Sequence, residues 1–128
     1  MGAERGDGGL RPAGVDGAGS YMLQSLRDMM AFIGENYGGK ILLEDIARAG
    51  NVCKSGCNNI FRRYLHTTPI GYLMDYRLQQ ARKLLLSTDM KVTEVSFETG
   101  FPSVSYFISL YKKAYGCSPS RTRAENGL

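Results

Sequence analysis

One histidine and three cysteines are all that the 128 residues offer as imidazole or thiolate metal ligands. Cys53, Cys57 and Cys117 form no CxxC pair, and His66 stands alone. Cys53 and Cys57 lie four apart, on one face of a helix if the segment is helical, but a zinc site would need another good ligand nearby. No metal and no cofactor are therefore expected. The thiols read as buried or structural groups in a reducing cytoplasm, with a thiol or metal sensor at Cys53 and Cys57 as one alternative. No apolar run approaches the roughly 20 residues of a membrane helix, so no membrane partner is expected. No segment sustains the alternation of a β-strand. Nor do a nucleophile, a base and an orienting acid form a set, and Gly34, Gly38 and Gly39 make no phosphate-cradling loop, which argues against an enzyme.

What is present is helical periodicity. Residues 1–20 hold seven glycines and Pro12, with only Leu10 and Val15 as sizeable aliphatics, and read as a flexible tail or linker. From Tyr21 to Asn36, Met22, Leu23, Leu26, Met29, Met30 and Ile33 recur at helical spacing, and Gly38-Gly39 stops the pattern. Short or medium helices follow over 43–49, 54–66, 93–99 and 103–115, with a last one from Ser118-Pro119 to about Ala124. Thr67-Thr68-Pro69 opens a longer helix running to about Leu86, about 25 Å in length. The expected fold is all-α: seven helices as two helix-turn-helix units, 21–68 and 89–125, joined by a linker helix over 69–88. The aromatic residues Phe61, Tyr72, Tyr76, Phe97, Phe101, Phe107 and Tyr111 are expected in the core rather than as base-stacking platforms.

An internal repeat underlies the pattern. At an offset of 50, Gly50 aligns with Gly100, Cys53 with Ser103, Cys57 with Phe107, Phe61 with Tyr111, Arg62-Arg63 with Lys112-Lys113 and Pro69 with Pro119. Ile46-Ala47 matches Val95-Ser96 at an offset of 49, which places a one-residue slip before the glycine. The chain carries a net +4, and residues 1–20 contribute −1, so the rest carries +5. Lys and Arg concentrate in and after the longer helix of each repeat. A basic pair at a helix end can be merely a solvated partner of the helix dipole. Two pairs at the same offset in a repeat favour a shared role on an anionic partner.

A helix-turn-helix places its second helix in the major groove of double-stranded DNA. Base contacts then require short or planar polar side chains near that helix's N-terminal half, while phosphate contacts position without specifying. Ser55, Asn58 and Asn59 in the first unit, and Val104, Ser105 and Ser109 in the second, are the candidates for base reading. Asn58 and Asn59 could each pair with adenine, although one face favours Asn59. Lys54, Arg62, Arg63, Ser103, Tyr106, Lys112 and Lys113 suit phosphates. A helical protein-interaction module, contacting polymerase or a sensor domain without reading DNA, is the other alternative.

The stretch Val92-Thr93-Glu94-Val95-Ser96-Phe97-Glu98-Thr99-Gly100-Phe101-Pro102-Ser103-Val104-Ser105-Tyr106-Phe107, continued by Tyr111-Lys112-Lys113-Ala114-Tyr115-Gly116-Cys117-Ser118-Pro119, resembles the C-terminal DNA-binding module of the AraC/XylS regulators. Phe61-Arg62-Arg63, Thr68-Pro69, Tyr72 and residues 77–85 extend the likeness, which spans residues 23–123. The resemblance implies seven helices, with the third and sixth entering successive major grooves about 34 Å apart. It further implies transcriptional control at the nucleoid, more often activation, through RNA polymerase, with a sensor or receiver domain often preceding the module. Asn59 and Ser109 stand where family members often carry Arg or Lys, Cys53 where Ser usually caps, and Ser96 where Ala is usual. Gly56, inside the first recognition helix, costs about 1 kcal/mol relative to Ala.

Overall fold

The computed structural model describes residues 16–126, with side chains from residue 19 onward. The described residues form seven α-helices: α1 (Asp16–Asn36), α2 (Leu43–Ala49), α3 (Lys54–Leu65), α4 (Pro69–Ser87), α5 (Val92–Glu98), α6 (Val104–Tyr115) and α7 (Pro119–Glu125). The all-α expectation and the seven helices hold. α1 begins inside the stretch expected to be a tail, because a packed helix extends at the cost of fixing one residue per added hydrogen bond. The remainder of that expected tail lies outside the described residues.

Two compact units emerge, and their boundary is not a single cut. One comprises residues up to Ile33 together with Leu42–Pro69, the other Gly34–Ile41 together with the chain from Ile70. In the first unit Leu26, Met29 and Ile33 of α1, Ile46 and Ala47 of α2, and Cys57, Ile60 and Phe61 of α3 are buried. In the second, Leu78, Ala81, Leu85, Val95, Phe101, Phe107 and Tyr111 form one apolar cluster. Phe107 stacks between Phe101 and Tyr111, at ring-centroid distances of 4.9 and 5.8 Å.

The segment Gly34–Ile41, the end of α1 and the loop after it, belongs to the second unit because Arg77 of α4 holds that loop. The guanidinium is buried, and its Nε and Nη2 donate to the carbonyls of Tyr37 and Gly39, each at 2.8 Å. Arg123 of α7 acts similarly at the other end of α4. It donates to the carbonyls of Leu85, Thr88 and Met90 at 3.1, 3.0 and 2.6 Å. Charge-assisted hydrogen bonds of this kind satisfy carbonyls that a helix end or turn leaves open.

The two helix-turn-helix turns correct the alignment read from the sequence. The left-handed residue is Asn51 (φ 61°) in the first turn and Gly100 (φ 88°) in the second. Gly50 has φ −91° and matches Thr99 at −92°. The backbone bonds agree: Val52 N–H donates to Ala47 as Phe101 N–H donates to Ser96. Hence the offset is 49 through the turn, and the slip comes after it, before the caps Cys53 and Ser103. Gly50 is required for a different reason: a Cβ there would lie 2.6 Å from Met29 Cγ and 3.1 Å from the Ser25 carbonyl. Asn supplies the left-handed conformation in the first turn because it tolerates that region better than most residues.

Of the aromatic residues expected in the core, Phe61, Phe101, Phe107 and Tyr111 are buried and Tyr72 and Tyr76 half-buried, and the expectation fails at Phe97. Phe97 is 80% exposed. Val95, Ser96 and Thr99 form the buried side of α5, and a residue two past Val95 falls on the opposite side of a helix with 3.6 residues per turn.

Gly100→Ala should cost about 2–4 kcal/mol, since it adds left-handed strain to a clash with the Tyr37 carbonyl and the Arg77 guanidinium. His66 caps α3 at φ 57°, where α6 has Gly116 at φ 79°. Removing the left-handed penalty at His66, less the added chain entropy, should make His66→Gly more stable by about 0.5 kcal/mol. Urea unfolding midpoints of the two variants should therefore move in opposite directions.

Candidate nucleic-acid interface

The second helix of each unit presents one buried and one polar face. α3 turns Cys57, Ile60 and Phe61 inward and leaves Lys54, Ser55, Asn59, Arg62 and Arg63 exposed. α6 turns Phe107 and Tyr111 inward and exposes Ser105, Tyr106, Ser109, Lys112 and Lys113. The exposed residues correspond at an offset of 50: Ser55 with Ser105, Asn59 with Ser109, and the basic pairs with each other. Positions four apart share a helix face, so a short polar group, a second polar group and a basic pair follow one another along each outer stripe. Neither helix contains an acidic residue.

The starts of these helices are built alike from different chemistry. Ser103 Oγ accepts the Tyr106 N–H at 3.1 Å, and Cys53 Sγ accepts the Gly56 N–H at 3.4 Å. Cys53 thus fills the cap position with a thiol, a weaker acceptor than hydroxyl, and lies 3.3 Å from Ser55 Oγ. These contacts, with that to Ser55 first, pull the Cys53 thiol below its ordinary pKa. Cys57, one turn on, is buried, and desolvation pushes its thiol up to about 11. Among the described residues, no three His, Cys, Asp or Glu gather where they could hold a metal.

Not all the residues singled out in the sequence stand alike. Asn58 is half-buried and its amide donates to the Lys54 carbonyl at 3.2 Å, whereas Asn59 is exposed. Lys54 Nζ lies 4.0 Å from Glu44 Oε2, and Arg63 leans over the Tyr64 ring at 5.8 Å. Val104 is half-buried, and Tyr106 is partly exposed with its ring 6.5 Å from Phe101. Arg77 and Arg123, which count towards the basic balance in the sequence, bind carbonyls within the second unit. Sequence reasoning missed those two clamps because their acceptors are backbone atoms.

Gly56 has no protein neighbour that demands its lack of a side chain. A Cβ there would meet Val52 at 3.4 Å and Cys53 Sγ at 3.6 Å, ordinary van der Waals distances.

A family model described as a helix-turn-helix domain matches residues 46–125. A transcriptional regulator from Chromobacterium violaceum, described as an AraC-type DNA-binding domain-containing protein, superposes with a TM-score of 0.78 at 28% identity, covering 87% of this chain and 97% of that one. This chain belongs to the AraC/XylS family of helix-turn-helix regulators. The AraC/XylS-type chain is also 44% identical over 102 residues to the uncharacterized HTH-type transcriptional regulator YdeC of Bacillus subtilis, a match covering 78% of this chain and 35% of YdeC. The DNA-binding domain of AdpA, described as a global transcriptional factor and solved in complex with a target DNA, superposes at TM-score 0.76 and 25% identity, over 80% of this chain and 92% of that one. The chain spans about a third of the length of the curated relatives it matches. Among the described residues no helix is long and apolar enough to cross a membrane.

The two thiol environments predict selective chemistry. At pH 8, iodoacetamide should modify Cys53 well before Cys57, as read by peptide mass spectrometry; equal rates would show that the α3 interior opens readily.

Proposed function

We propose that the chain reads double-stranded DNA in sequence-specific fashion, with α3 and α6 as recognition helices for two successive major grooves. The observation that carries this reading is the matched, acid-free outer stripe of the two helices, Ser55–Asn59–Arg62-Arg63 and Ser105–Ser109–Lys112-Lys113. In it Asn59 reads a base, because its amide is exposed while that of Asn58 is turned back on its own helix. A bidentate Asn–adenine pair would contribute about 1–3 kcal/mol of discrimination. Ser55, Ser105 and Ser109 add less directive polar contacts, and Val104 touches a thymine methyl. Arg62, Arg63, Lys112 and Lys113 hold phosphates, together with Lys54 and Tyr106 and the amides at the caps Cys53 and Ser103.

Gly56 then has a reason that the protein interior does not supply. Its missing side chain admits the duplex to the first turn of α3. Specificity leans on the first unit, and placement on the second, whose outer stripe has only serines ahead of its lysines. By likeness to its family, the chain acts in transcriptional control at the nucleoid, more often activation, through RNA polymerase, with a sensor or receiver domain preceding it.

The deciding experiment is selection of bound sequences from a random duplex library. It should return two conserved half-sites centred about 10–10.5 base pairs apart; one half-site, or no shared motif, would refute the two-groove reading. Arg62→Ala or Lys112→Ala should weaken binding to all sequences and lower the slope of log affinity against log salt by about 1. Asn59→Ala should chiefly relax one base position. Gly56→Ala should raise stability by about 0.5–1 kcal/mol yet weaken duplex binding, a combination that a purely structural glycine would not produce.

A further inference from the structure

The two helix-turn-helix turns differ in what holds them. In the second, the Thr99 hydroxyl donates to the Val95 carbonyl at 2.7 Å, and the Ser96 hydroxyl reaches across the turn to the carbonyl of the α6 cap Ser103 at 3.5 Å. At the offset of 49 that runs through the turns, Gly50 stands for Thr99 and Ala47 for Ser96. Neither has a side-chain donor. Yet the first turn is the one whose left-handed residue, Asn51, is not a glycine, so it has the more strained backbone to keep in place.

Helix α1 supplies the hold. Tyr21, Ser25 and Met29 follow one another at intervals of four, on one stripe of α1, and all three meet the first turn. Met29 Cγ and the Ser25 carbonyl leave no room for a Cβ on Gly50. The Tyr21 hydroxyl donates to the Asn51 carbonyl at 3.2 Å, a bond between residues 30 apart in the chain. All of these residues belong to the first unit. Ser25 and Met29 are buried, whereas Tyr21 is 54% exposed, so removing its hydroxyl leaves the buried part of the stripe intact. Only Val52 separates Asn51 from the α3 cap Cys53. The pose of Asn51 therefore passes directly into the start of α3.

We infer that Tyr21 is a positioning residue for the first recognition helix: its hydroxyl holds Asn51 and pre-orders the turn that aims the outer stripe of α3. The inference rests on the DNA reading proposed above and adds a residue that touches no base or phosphate. A turn already held loses less conformational freedom when the duplex fixes α3. By linkage, a duplex bound at α3 steadies the Tyr21 bond and the part of α1 around it. α6 does not share this dependence, because its turn carries side-chain bonds of its own.

The test compares the full chain with Tyr21→Phe, which removes the hydroxyl and keeps the ring. Three duplexes are used: the selected site, and that site with either half-site scrambled, the α3 half-site being the one in which Asn59→Ala relaxes a base. Tyr21→Phe should bind the selected site about threefold more weakly than the parent. The same loss should persist when the α6 half-site is scrambled and vanish when the α3 half-site is. Amide hydrogen exchange at residues 21–25 and 51–53 should slow when the parent binds the selected site, and this slowing should be lost in Tyr21→Phe. Circular dichroism of the free variant should match that of the parent. An equal loss on all three duplexes would show a merely structural role and overturn the inference. So would Tyr21→Phe matching the parent in affinity and exchange while the parent discriminates the half-sites. A parent that binds all three duplexes alike would instead overturn the DNA reading, and this inference with it.

Discussion

Helices of seven residues do not persist in water, and α2, α5 and α7 are all that short. Their existence depends on burying one side against a longer helix, so close approach between paired helices is the constraint from which the rest follows. In the first unit it shows as Ala47 in the interior of α2 and as Gly50 pressed against Met29 and the Ser25 carbonyl. In the second it shows as buried Ser96 and Thr99, the latter returning its hydroxyl to the Val95 carbonyl at 2.7 Å. The carboxylates of Asp45 and Glu94 reinforce both starts by accepting the amides of Leu42 and Lys91 at 2.9 Å.

That constraint divides the labour on the longer partners. Once Cys57 and Phe61, or Phe107 and Tyr111, are committed to the interior, the opposite stripe of α3 or α6 has no packing duty and can be polar and basic throughout. The second unit adds its own fasteners. Arg77 brings the loop after α1 under its control, and Arg123 closes the end of α4 on three carbonyls. These two cations serve the scaffold, whereas Arg62, Arg63, Lys112 and Lys113 stay exposed on the outer stripes of α3 and α6.

Much of this was legible in advance because periodicity reports burial directly. The ends of α2 are where the apolar spacing and Gly50 put them, and Pro69 and Pro119 open α4 and α7 as their cap sequences indicate. The alignment of the turns was not legible, because two glycines that look equivalent answer to different causes. Gly50 is excluded volume, whereas Gly100 is backbone conformation. Phe97 misled because a seven-residue helix has apolar residues on both sides and too few of them to reveal a preferred face. The clamps by Arg77 and Arg123 had no complementary acid in the sequence to announce them. Among the candidate base readers, residue type offered both Asn58 and Asn59 and the helix face already favoured Asn59; the bond from the Asn58 amide to the Lys54 carbonyl adds a physical reason visible only in three dimensions.

The position of the slip between the repeats bears on how such a chain could be recombined. The second turn has an additional residue between its left-handed glycine and its cap, so the units are in register only from Cys53 and Ser103 onward. A chimera joined at Gly50 and Gly100 would keep the number of residues between the two helices, because the caps share the same offset of 50, but would put Phe101 at the left-handed position that Asn51 fills. Joined at the two caps, the same exchange would keep the buried face buried. The seam at which the two repeats could be exchanged without disturbing either turn thus lies at the cap rather than at the glycine.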